Sequence, residues 1–98
     1  MAHPLDIYDY SQAVAEQIAE HRYMGWAIPT ELSYQWEQIV DGSYCQQEGF
    51  PDLEIEIANH ASSWRTLCFN ILKSGQEIPF YDRDNNAVKR FTETLTSI

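Results

Sequence analysis

Asp52-Leu53-Glu54-Ile55-Glu56-Ile57 alternates acidic and apolar side chains over six residues, and its reading decides the fold class. Strict alternation is the period of a half-buried strand, because successive side chains leave a pleated backbone on opposite faces. On that reading Leu53, Ile55 and Ile57 point inward. Glu54 and Glu56 then stand outward on one face, about 7 Å apart for a rise near 3.4 Å per residue. Residues 43–51, just before, read as a polar loop with Gly49 and Pro51 as breakers.

On the C-terminal side, residues 64–72 admit two readings. Trp64, Leu67, Cys68, Ile71 and Leu72 suit a helix ending near Gly75, yet the run is also rich in strand formers. With Lys73-Ser74-Gly75-Gln76 as a turn and Glu77-Ile78-Pro79-Phe80-Tyr81 as the return, a hairpin is favoured, and Pro79 marks an edge strand. Toward the N-terminus, Ile7, Tyr10, Val14 and Ile18 with Ala15 and Ala19 predict a helix over 7–24. Asp6 is its expected N-cap and Asp9 the acid of a capping box. His21 and Arg22 suit the last turn, and Gly25 follows as the residue past the end. Leu32, Trp36, Ile39 and Val40 predict a second helix stopped by Asp41-Gly42, although Leu32, Tyr34 and Trp36 also alternate as a strand would. Val88, Phe91, Leu95 and Ile98 predict a C-terminal helix from about Asn86, capped by Asp84 or Asn85. The expected fold is α+β: two N-terminal helices, a small antiparallel sheet and a C-terminal helix, in one small acidic domain spanning 1–98.

The charge of this chain is unevenly placed. Its formal net charge is −9. Asp6, Asp9, Glu16, Glu20, Glu31, Glu37, Asp41, Glu48, Asp52, Glu54 and Glu56 all precede residue 58, where Arg22 is the one strong base. After that point, acids and bases nearly balance. Like charge on this scale destabilises a small fold, so an external partner is expected to compensate: a hard cation or a basic protein surface. Phosphate would meet a field of its own sign, so no direct nucleic-acid binding is expected. A hydrophobic share of 44% is too high for a disordered acidic tail. No apolar run approaches the about 20 residues of a membrane span, and Met1-Ala2-His3-Pro4-Leu5-Asp6 carries no secretory leader pattern. Cys45 and Cys68 lie far apart and outside any C-x-x-C arrangement, which fits two free thiols in a reducing cytoplasm.

Two constellations carry candidate chemistry. The first is the stretch 82–93. Calcium takes six to eight oxygen ligands, and an EF-hand loop supplies them from positions 1, 3, 5, 7, 9 and 12. Counted from Asp82, oxygen side chains fall at Asp82, Asp84 and Asn86, with Glu93 at position 12. These residues resemble an EF-hand loop, with departures. Ala87 replaces the turn glycine, Lys89 replaces an apolar residue, and a strand rather than a helix is expected to enter the loop. A shorter non-EF-hand site remains, and the plainer alternative is a polar turn that caps the last helix. The second constellation is the acidic surface: Glu37 and Asp41 four apart on a helix, then Asp52, Glu54 and Glu56. Carboxylates crowded on one face chelate a cation or raise each other's pKa, whereas alternating Glu on a strand often only solvates it. His3, His21, His60 and the cysteines have no zinc spacing, and no nucleophile or phosphate loop stands out, so an enzyme is not expected.

In length, acidity and expected α+β make-up the chain resembles the small acidic calcium-binding proteins of cyanobacteria. That resemblance carries no site residue over. It implies calcium sequestration or buffering in the cytoplasm in a signalling role, with Ca²⁺ the bound ion and no catalysis. The alternative is an acidic inhibitor, an immunity protein or a DNA mimic that binds a basic protein, with Tyr8, Tyr44 and Trp26 as candidate anchors. Geometry separates the two: carboxylates converging on one point suit a metal, and carboxylates spread along a surface suit a basic partner.

Overall fold

In the computed structural model, which describes residues 3–78 and 86–97, helix α1 (Pro4–Met24) starts almost a turn before its apolar stripe. Pro4 takes the first helical position, where a missing N–H costs nothing. The His3 ring accepts the Leu5 N–H, and the Asp6 carboxylate accepts the His3 N–H, both at 3.1 Å. Asp6 is therefore the returning acid of a capping box, and the cap itself is His3. Gly25 closes the helix at φ 72°, a conformation that glycine adopts without strain.

Helix α2 (Thr30–Val40) buries Leu32 and Ile39 of the expected stripe and half-buries Trp36, while Val40 is exposed, and the chain turns at Asp41-Gly42. The next segment departs from expectation. Residues 43–51 are not a plain loop, since they contain the short helix α3 (Ser43–Gln47), which buries Cys45. A 3-10 turn (Pro51–Leu53) follows.

The largest correction lies in the acidic alternating run. It begins helix α4 (Glu54–Lys73), and no strand occurs among the described residues. The α+β class with an antiparallel sheet is replaced by an all-helical fold. Ile57, Ala61, Trp64, Cys68 and Ile71 are the buried residues of α4, at intervals of four, three, four and three. That 3.6-residue period runs the length of the helix and overrides six residues of alternation. Ile55 decides the matter: it is 71% exposed, where a strand would have turned it inward. The hairpin expected over 64–78 gives way with it. Its helical alternative is the one found, ending at Ser74 with Gly75 at φ 82°. Glu77 and Ile78 are not in a strand, and the rest of the expected edge strand lies outside the described residues. The final helix α5 (Ala87–Ser97) forms close to where Val88, Phe91 and Leu95 place it.

Tyr8 and Gln12 meet His60, Glu16 meets Trp64, and Tyr23 meets Phe69, so α1 and α4 run parallel. Parallel helices align their macrodipoles, an arrangement that repels unless the ends are compensated. Here they are. Asp6, Glu54 and Glu56 lie in the two first turns, while His21, Arg22 and Lys73 lie in the two last turns. The core is the seam between these helices, with Ile7, Val14, Ala15, Ile18 and Ala19 from α1 and Ile57, Ala61, Trp64 and Cys68 from α4. Ile39 of α2 and Cys45 of α3 join the same cluster. Helix α5 docks across the pair: Asp9 of α1 accepts the Ala87 N–H at 2.9 Å, and Phe91 packs against His60 and Trp64. Among the described residues, no helix is long and apolar enough to cross a membrane.

Candidate functional site

The parallel pairing of α1 and α4 sets where the acidic residues stand, and it scatters the expected metal ligands. Residues two apart on a helix differ by about 200° around its axis. Glu54 and Glu56, expected side by side on a strand face, therefore diverge. Glu54 turns toward α3, where its carboxylate accepts a hydrogen bond from Gln46 Nε2 at 2.8 Å. Glu56 turns toward α1 and stands beside the Tyr8 hydroxyl. Asp41 accepts from both the backbone N–H and the hydroxyl of Ser43, which holds its carboxyl below the usual carboxylate range. Asp41 and Glu54 do line one cleft of about 160 Å³ with Gly42, Ile55 and Asn59. Glu37 and Asp52 are exposed and do not line it.

Asp82 and Asp84 of the EF-hand-like stretch lie outside the described residues. Asn85, expected with Asp84 as a cap of the last helix, lies outside them too; Asn86 Oδ1 accepts the Lys89 N–H at 3.0 Å at the start of α5. Glu93 sits exposed on α5. Among the described residues, no group of three or more His, Cys, Asp or Glu side chains is placed to hold a metal ion.

The structure instead gathers tyrosines among the acids. Tyr10 of α1 stacks on Tyr44 of α3 with ring centroids 4.3 Å apart and planes 25° from parallel. Both are half-buried. Burial, and then the charge of Glu48, pushes the Tyr44 hydroxyl up to about 12, with Asp6 adding to it. Tyr10 is raised by burial and then by Glu31 and Glu48. Tyr8 is raised to about 12 by burial and by the adjacent Glu56 carboxylate. Three carboxylates from different segments, Asp6, Glu31 and Glu48, thus act on the stacked Tyr10–Tyr44 pair, and Glu56 acts separately on Tyr8. Of the anchors expected from sequence, Tyr44 belongs to this face, whereas Tyr8 packs edge-on to His60 of α4 at 4.9 Å. Trp26 is exposed at the other end of α1, edge-on to His21 at 5.7 Å.

A buried polar knot that sequence reasoning missed lies where α1, α4 and α5 meet. Glu16 Oε1 accepts from Arg90 Nη1 at 2.6 Å and from Trp64 Nε1 at 3.0 Å. Both charged side chains are almost wholly buried. Burial pushes the Glu16 carboxyl upward, against the opposing pull of Arg90 and Trp64. Beside it His60 shares a hydrogen bond with Gln12 Oε1 at 3.2 Å, between the rings of Tyr8 and Phe91. The signal was faint but present. Tyr8, Gln12 and Glu16 recur every fourth residue alongside the apolar stripe of α1, and Arg90 sits next to Phe91 on the docked side of α5. The knot fixes α5 to the α1–α4 pair and offers no open position to a substrate.

No known protein family, curated protein or solved structure matches this chain.

Proposed function

We propose that this protein binds a basic protein partner through the face centred on Tyr10 and Tyr44. One observation carries the reading: a stacked, half-buried tyrosine pair ringed by Asp6, Glu31 and Glu48, carboxylates drawn from three separate segments. None of the three forms an ion pair among the described residues. Tyrosine supplies large contact area at low entropic cost, and surrounding charge steers an oppositely charged surface into register. The acids spread over the surface instead of converging on a point, which suits a guanidinium- and ammonium-bearing partner better than an ion. The competing proposal, calcium buffering through Asp82, Asp84, Asn86, Glu93, Glu37, Asp41, Asp52, Glu54 and Glu56, draws its support from the excess of carboxylates and the EF-hand-like spacing at 82–93.

Affinity capture from a lysate of the source organism, compared between the wild-type chain and a Glu31→Lys/Glu48→Lys variant, tests the proposal. Expected is a protein of high isoelectric point retained by the wild type, released by added salt, and lost with the variant. Retention that ignores both salt and the charge reversal overturns it. Saturable calcium binding by calorimetry, with no response to magnesium, decides for the metal reading.

A further inference from the structure

The acidic chain carries a cationic cleft. Between α1 and α4, Ala19, Arg22, Arg65, Thr66 and Phe69 line a cleft of about 170 Å³. Arg22 comes from the last turn of α1 and Arg65 from the middle of α4. Fifteen carboxylates are available in this sequence, yet neither arginine makes an ion pair among the described residues. Two guanidinium groups placed together without a counter-charge repel each other, so the arrangement is one that an anion would relieve. Burial, and then the charge of Arg22, lowers the Arg65 pKa.

Arg65 is held in place for such a role. Its guanidinium carbon lies 5.7 Å from the centre of the Trp36 ring, and its Nε is buried without a hydrogen-bond partner. The Thr66 hydroxyl is already committed to the Ser62 carbonyl, which leaves recognition to the arginines. Phe69 supplies an apolar wall, and Lys73 Nζ lies 5.6 Å from the centre of that ring, a third cation nearby. Pockets for drug-sized ligands span about 300–1,000 Å³, so this cleft admits only a small occupant.

We propose that the cleft binds a small organic anion, a carboxylate or phosphate monoester head on one aromatic ring or a short acyl chain. The two guanidinium groups take the head, and Ala19 and Phe69 take the body. The cleft lies toward the opposite end of α1 from Tyr10, so this inference stands or falls separately from the partner-binding proposal.

Phenyl phosphate is the probe, titrated calorimetrically into the full chain. Expected is saturable one-to-one binding that weakens about tenfold in Arg22→Gln. Inorganic phosphate and benzyl alcohol, each lacking half of the recognised chemistry, should bind about tenfold more weakly or worse. Arg22 is exposed, so the melting curve of Arg22→Gln should match the wild type. Arg22→Lys, which keeps the charge and loses the planar fork, should give an intermediate loss whatever the stability of the first variant. No heat of binding up to about 10 mM phenyl phosphate, beyond the weakest affinities worth the name, overturns the proposal. So does affinity unchanged by both Arg22 substitutions, or inorganic phosphate binding as tightly as the aryl ester.

Discussion

His60 is the residue whose environment has the clearest consequence in solution. An imidazole titrates near 6.5 in water, and burial brings this one down to about 4. Glu56 pulls the other way, and Arg90 adds to the lowering. The folded protein therefore holds the ring neutral. The stability that His60 contributes is complete above about 6.5, where the unfolded chain is also unprotonated. It is lost as the pH falls toward about 4, because the unfolded chain takes up a proton that the folded one refuses. Urea denaturation at pH 7 and pH 4.5 should show a larger loss of stability in the wild type than in His60→Gln. Equal losses would remove His60 from the account. The knot next to it shows the same physics with opposite charges. Taking Glu16 and Arg90 out of water costs several kcal/mol per ion, offset only because each finds the other in hydrogen-bonding geometry. Such pairs specify one docked arrangement of α5 more than they add to net stability.

At the level of the element, α4 is where sequence and structure part. The first helix was legible because its apolar stripe, basic last turn and closing glycine all agree, and only its start was misplaced. The alternation at 52–57 was legible too, but as the wrong element. Six residues fit two periods, and the deciding evidence, the spacing of Ile57, Ala61, Trp64, Cys68 and Ile71, accumulates only over a longer window. The candidate site suffered from the same error, since the strand put Glu54 and Glu56 side by side and the helix sends them to different neighbours. Which acids surround Tyr10 and Tyr44 depends on how α1 and α3 meet, and no local pattern encodes that. Paired substitutions test the helix directly. Ile57→Ala should cost about 2–5 kcal/mol by chemical denaturation, the range for emptying a buried isoleucine site. Ile55→Ala, on the exposed side, should stay within about 0.5 kcal/mol. Comparable losses at both positions would restore the strand.

For the molecule as a whole, the disposition of charge matters more than its sum. Acids gather at the end where α1 and α4 begin, and Arg22 and Lys73 mark the end where they finish. Repulsion within the acidic end is screened by salt, with a Debye length that falls from about 30 Å at 0.01 M to about 8 Å at 0.15 M. The melting temperature should therefore rise by about 2–5 °C over that range of sodium chloride, a shift equivalent to a fraction of a kcal/mol in a domain of this size. A flat or falling curve would mean that the acids do not strain the fold. At matched ionic strength, calcium and magnesium should act alike, and an extra rise with calcium alone would favour the metal reading. One practical result follows from two long helices pointing the same way. A bead coated with quaternary amines will seize this molecule by the face that bears Tyr10 and Tyr44, standing it on that foot. The arginine-lined hollow, toward the far end of α1 from Tyr10, should then stay open to a probe while the other surface is masked.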